Sequence, residues 1–249
     1  MRTCLVVSLA VAVLAAPGAY TQAAEIKVFS SNGVHSVMVE MVPAFERATG
    51  HKLSVEYYTA NQAVAKVKAG GKADLVIITR PTADGLLKEG KIIPGTDKIV
   101  GRSGVGIAIK VGLPKPDIST PEALKRALLA AKSITFTKTG GSGIHFAKVA
   151  EKLGIAAEVN AKAKIPEGGA VGPLVASGQA EMAVQQIPEL MAVKEIQYVG
   201  PLPKELQTST VFTTGVLADA AQPDAAKTLI AFLMTPEAVR VFKSKGLEP

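Results

Sequence analysis

The sequence predicts an α/β protein in two similar halves, and three observations carry that reading. Apolar runs of strand length alternate with segments whose apolar residues recur at helical spacing. The run Ala73-Asp74-Leu75-Val76-Ile77-Ile78 is apolar on both faces, as in a buried parallel strand. The strand–turn–helix order then restarts after residues 105–111, which makes two units of roughly 100 residues each.

Ile26-Lys27-Val28-Phe29 reads as the first strand and runs into the polar turn Ser30-Ser31-Asn32-Gly33. A helix follows over 34–49, with Val37, Met41 and Phe45 on one face at i, i+4 and i+8, and Gly50 as its stop. Residues 53–57 alternate as a second strand, 63–69 form a short helix closed by Gly70-Gly71, and 73–78 are the third strand. In the second unit Pro121 suits the first turn of a helix over 121–132. A strand over 133–137, the turn Gly140-Gly141-Ser142-Gly143 and a helix over 144–153 come next. A helix at 172–177, a strand at 180–185 and a short helix at 189–193 follow. A strand at 211–217 and helices at 224–234 and 236–245 finish the chain, which has no internal repeat and no low-complexity linker.

The N-terminus and the charge pattern narrow the function. Met1-Arg2 precedes an apolar run from Cys4 to Ala16, Pro17-Gly18 breaks it, and Thr21 and Ala23 are small residues where a signal peptidase reads. This predicts a cleaved secretory signal over 1–23 and a periplasmic protein. The run is well short of the roughly 20 apolar residues that span a bilayer. The single cysteine, Cys4, falls inside it, so the mature chain is expected to have no disulfide, thiolate metal site or cysteine nucleophile. Roughly 225 residues are enough to stabilise it by core packing alone. The net charge is +7, but the lysines are scattered, no polybasic run occurs and tryptophan is absent. That distribution argues against nucleic acid and fits attraction of small anions.

Three segments resemble the type 2 periplasmic solute-binding proteins, and within them the molybdate-binding group. They are the opening Ile26–Gly33 strand and turn, the segment Val64–Ile77 with its Gly-x-x-Ala-Asp-Leu turn, and the C-terminal Ala225–Ala238 with Phe242–Leu247. The resemblance implies two lobes, each a mixed sheet flanked by helices, joined by two hinge crossings near 106–109 and 210–214. Lobe 1 is then 24–107 with 212–249, and lobe 2 is 108–211. It implies a small anionic ligand held between the lobes, an ABC permease in the inner membrane as partner, no nucleic-acid role, and a monomer. A Rossmann enzyme is disfavoured, because no Gly-x-Gly-x-x-Gly follows the first strand.

Candidate ligand contacts follow from chemistry and from the resemblance together. Unpaired amides at a helix start, aided by the helix dipole, replace the hydration of an anion. Two strand-to-helix turns have that form: Ser30, Ser31 and Asn32 in lobe 1, and Gly141, Ser142 and Gly143 in lobe 2. The resemblance adds positions near Asn61, Val171, Gln185 and Gln186. The molybdate group is serine-rich at the first of these, whereas this chain has Ala60-Asn61, and Gln185-Gln186 stands where that group has a tyrosine. Arg80, Arg102, Lys138 and His145 are additions, and arginine grips carboxylates in a bidentate fork. The expectation is an organic acid or another anion rather than molybdate.

The scaffold is also similar to that of periplasmic aconitate isomerase. An isomerase moving a proton on a tricarboxylate needs a base and cationic clamps. His145 with Ser142, or His35, would supply the first, and Arg80, Arg102 and Lys138 the second. No cofactor is expected, the three histidines have no zinc spacing, and Ser142 lacks a nucleophile-elbow motif.

Overall fold

The computed structural model describes residues 23–248. The predicted signal, up to residue 22, and Cys4 within it lie outside the described residues. The first sheet is opened by β1 (Glu25–Ser31), followed by a 3-10 turn at Asn32–Val34 and α1 (His35–Thr49). Next come β2 (Lys52–Tyr58), α2 (Ala60–Lys68), β3 (Leu75–Thr79), α3 (Arg80–Lys88) and β4 (Ile99–Ser103). The second sheet begins with β5 (Val105–Lys110), α4 (Pro121–Ala130), β6 (Ile134–Thr135) and α5 (Gly141–Lys152). It continues with α6 (Ala156–Ala161), β7 (Ala163–Lys164), α7 (Gly172–Ala176), β8 (Met182–Gln186), α8 (Ile187–Met191) and β9 (Ile196–Pro201). The chain then returns to the first sheet with β10 (Thr210–Val216), α9 (Pro223–Leu233) and α10 (Pro236–Ser244).

The two sheets have the same plan. In order they are β2-β1-β3-β10-β4 and β7-β6-β8-β5-β9. Each has three parallel strands, beside an antiparallel strand that enters from the other lobe, and an antiparallel edge. The chain changes sheet at Gly104 and again between β9 and β10. Residues 105–107 therefore pair in the second sheet, a few positions before the predicted boundary, and β10 lies wholly in the first.

Alternation along β3 explains why the run 75–78 is apolar throughout. Leu75 and Ile77 join the core under α1, α9 and α10, with Met41, Phe45, Leu229 and Phe242. Val76 and Ile78 face the other way, against Ala63, Val67, Ala83 and Leu86 of α2 and α3. In the second sheet Val105, Ile107 and Ile109 pack on Leu124 and Phe146, while Ala108 meets Val175 and Leu190 on the opposite face. The elements missed in sequence include the helices α3 and α6 and three edge strands: β4, β7 and β9 carry Gly101, Gly200 and Pro201 or are two residues long. The buried Asp74 of the Ala-Asp-Leu turn is structural. Its Oδ2 accepts from Lys27 N at 2.8 Å and its Oδ1 from Gln222 N at 2.8 Å, tying β1 to the start of α9.

Candidate functional site

In parallel sheets the strand C-termini and the helix starts that follow them face one side. Here β1, β2, β3, β6 and β8 all end toward the gap between the lobes. They enclose a central cleft of about 390 Å³ of empty space, partly open to solvent. Its walls include Ser31, Asn32, Thr59, Ala60 and Thr79 from lobe 1, and Thr137, Gly141, Ser142, Gln185, Gln186 and Glu189 from lobe 2. No lysine or arginine is among them.

The two glycine-bearing turns are built by close approach. A Cβ on Gly33 would run into the Phe212 ring of β10, and one on Gly143 would overlap the carbonyl oxygen of Thr137. Glycine lets the first helix start sit directly on β10 and the second on the segment that follows β6. In lobe 1 the Ser31 hydroxyl accepts from Gly33 N at a long 3.4 Å. At α2 a capping box satisfies the helix start internally: Thr59 Oγ1 accepts from Gln62 N at 3.3 Å, and Gln62 Oε1 accepts from Thr59 N at 3.0 Å. The start of α5 differs. Its cap residue, Gly140, has no side chain to offer, so the first-turn amides have neither an intrahelical partner nor a side-chain cap; the starts of α3 and α8 lack a side-chain cap as well.

Beneath that start, Thr137 Oγ1 is buried without a hydrogen-bond partner, and so is Gln186 Oε1. Gln186 Nε2 donates to Thr210 Oγ1 at 2.7 Å. Gln185 is fully engaged: its Oε1 accepts from Val171 N at 2.9 Å, and its Nε2 donates to Gly169 O and to Glu189 Oε1, both at 2.8 Å. Burial pushes the Glu189 carboxyl up to about 8.

Of the residues singled out from sequence, Ser31, Asn32, Gly141, Ser142, Gln185 and Gln186 meet around this cleft. The others stand elsewhere. Ser30 is buried behind Ser31 and donates to its carbonyl at 3.3 Å, and Gly143 lies beneath the α5 start. Val171, a position that the resemblance adds, gives its amide to Gln185. Asn61 is exposed and donates across the lobes to Thr139 O at 3.2 Å. Arg80 faces a flanking compartment, where it pairs with Asp84 at 2.8 Å and Asp97 at 3.1 Å. His145 lines the same compartment, with Nε2 2.7 Å from Leu206 O. His35 lines a compartment on the opposite side of Glu189, its ring edge-on to Tyr57 at 4.3 Å. Lys138 pairs with Glu167 at 2.8 Å, a hydrogen bond that raises its pKa. Arg102 pairs through its backbone with Glu248. The predicted cationic clamp is therefore not assembled on the central cleft: Arg80 and Lys138 are paired with carboxylates outside it, and Arg102 stands on β4.

Sequence reasoning missed Thr137, Glu189, Thr59 and Thr210. Two of them had a local signal. Thr59-x-x-Gln62 is a capping box, and Glu189 follows a strand-to-helix turn marked by Pro188, the same grammar as the turns that were found. Among the described residues no group of three or more His, Cys, Asp or Glu side chains is placed to hold a metal, and no helix is long and apolar enough to cross a membrane.

Residues 26–248 match the family described as bacterial extracellular solute-binding protein, and the chain belongs to that family. It is 30% identical over 228 residues to an aconitate isomerase of Pseudomonas sp, covering 89% of this chain and 87% of that protein. It is 25% identical over 258 residues to the molybdate-binding protein ModA of Azotobacter vinelandii, covering 97% and 96%. The solved periplasmic molybdate-binding protein of Azotobacter vinelandii shares the fold, with a TM-score of 0.78 at 15% identity over 90% of this chain and 99% of that one.

Proposed function

We propose that the chain is a periplasmic, monomeric binding protein that captures a small anion in the central cleft and delivers it to an ABC permease. One observation carries the reading: helix starts from both lobes converge on one cleft, the lobe-2 start is uncapped, and no lysine or arginine lines the space. Fixed amide and hydroxyl dipoles can replace the hydration of an anion without a counter-charge. Contacts from both lobes favour the closed arrangement by differential affinity. The space suits a tetrahedral oxyanion or a compact carboxylate. The test is a thermal-shift screen with molybdate, sulfate, phosphate, citrate and cis- and trans-aconitate, followed by calorimetry on each hit. Absence of any shift with all six would overturn anion capture.

A second reading has its own support. Identity to an aconitate isomerase extends over most of the chain, and Glu189 holds in the cleft a carboxyl able to exchange a proton near neutral pH. In that reading Glu189 rather than His145 moves the proton on a tricarboxylate. Incubation with cis-aconitate in heavy water, followed by proton NMR, separates the two: a binder returns it unchanged, and an isomerase converts it with deuterium at carbon.

A further inference from the structure

Glu189 is the one ionisable side chain lining the central cleft; its companions there are hydroxyls, amides, glycines and apolar groups. It lies in the first turn of α8, and Gln185 Nε2 donates to its Oε1. No lysine or arginine pairs with it among the described residues. An ionised Glu189 would put a second negative charge into a space whose amides are arranged for an incoming one. A protonated Glu189 would instead add a donor to the same set.

Resting on the anion-capture reading, we infer that Glu189 contacts the captured anion as a carboxylic acid, so that capture at alkaline pH takes up one proton from solution. The proton goes onto the carboxyl, which donates it in a hydrogen bond to an anion oxygen. No bond of the anion breaks. The groups around Glu189 that could mimic this are few. From α1 comes His35, and from β2 comes Tyr57, both lining the compartment that Glu189 shares with the cleft. Tyr198 lies on the neighbouring β9. The β8 strand brings only Gln185 and Gln186, β5 ends in the exposed Lys110 at its far end, and α8 has no other ionisable side chain. Burial pushes both phenols up to about 12, out of the range concerned.

Calorimetry on the whole chain, with sulfate, molybdate and trans-aconitate as probes, tests this directly. Each probe has lost its own protons by neutral pH, so uptake measured in buffers of different ionisation enthalpy belongs to the protein. The expected result is about one proton per anion at pH 9 and none near pH 6.5, with affinity falling about tenfold per pH unit above pH 8. In Glu189→Gln the uptake disappears and the affinity no longer follows pH. The proton count on the unmodified chain stands even if that variant does not fold. Binding without uptake at pH 9 would overturn the inference. So would uptake that persists in Glu189→Gln, or that vanishes only in His35→Gln. Failure of all three probes to bind at any pH would instead overturn the anion-capture reading, and this inference with it.

Discussion

The central cleft and the compartment beside it share Thr79, Gly141 and Thr210, yet they handle charge in opposite ways. The flank holds two cations, Arg80 and Lys148, beside the ring of His145. Its arginine is neutralised by Asp84 and Asp97, and its histidine is bound to a backbone carbonyl. The centre holds no cation, and offers amides and hydroxyls with unfilled hydrogen-bonding capacity. Proximity to positive charge is therefore a poor guide to where an anion sits. An ion already paired has little field left, whereas an unpartnered buried dipole gains a full hydrogen bond on binding. The net charge of +7 then acts at long range, raising the local concentration of anions without gripping them.

The sharpest way to break the contrast is Gly143→Ala. The new Cβ would overlap Thr137 O and lie 2.7 Å from Thr137 C, backbone atoms that cannot step aside. The first turn of α5 must lift, carrying its amides off the ligand, and a displacement of about 1 Å can cost about 100-fold. Sulfate and molybdate calorimetry should show a loss of that order, with a lowered melting temperature. Gly141→Ala is the matched control for stability, because its Cβ would meet nothing within 4 Å. An unchanged affinity in Gly143→Ala would remove the α5 start from the site.

Thr137→Val separates the centre's chemistry from its packing. The hydroxyl is buried without a partner, so the isosteric apolar replacement leaves stability of the ligand-free chain unchanged or raises it. The same change should weaken anion binding about 5–10-fold, near 1 kcal/mol for one lost hydrogen bond. A parallel loss of stability and affinity would mean that Thr137 serves the fold and not the ligand.

Glu189 also leaves a mark on stability without ligand. Its carboxyl ionises near 4.5 in the unfolded chain and about 8 in the folded one. The folded state thus binds the extra proton across that window, so stability falls as pH rises from 4.5 to 8 and then levels off. Water in the half-open cleft moderates the effect. Glu189→Gln should melt a few degrees above the parent at pH 8 and together with it at pH 4, at about 2–4 °C per kcal/mol for a chain this size. Equal melting at both pH values would show that the carboxyl is not desolvated.

How legible this was depended on the distance over which each feature is specified. The apolar run of β3 and the turn Ser31-Asn32-Gly33 are local patterns, and both stand where the sequence puts them. The Gly140–Gly143 turn is likewise local, but that Gly143 rests on the Thr137 carbonyl depends on a turn geometry that no residue type announces. The partner of the Val171 amide was not legible because it is Gln185, 14 residues later in the chain. The pairing of Arg80 was missed for a nearer reason. Asp84, at i+4, pairs with it once α3 is seen as a helix, whereas Asp97 arrives through the fold. Glu189 lines the cleft only because β8 ends opposite the Asn32 turn of the other lobe.

The smallest expected effect tests the flank itself. Arg80→Ala removes a charge already shared between two carboxylates, and Lys148→Ala removes an exposed one. Each should change sulfate affinity by no more than about 2-fold at physiological salt, where exposed charges are screened within about 8 Å. Citrate and trans-aconitate are longer, and a carboxylate reaching past Gly141 into the flank would meet these side chains. A loss of about 10-fold or more for the tricarboxylates alone, with sulfate unaffected, would make the flank part of the site and the ligand an organic acid. Uniform small effects on every anion would leave recognition to the uncharged centre.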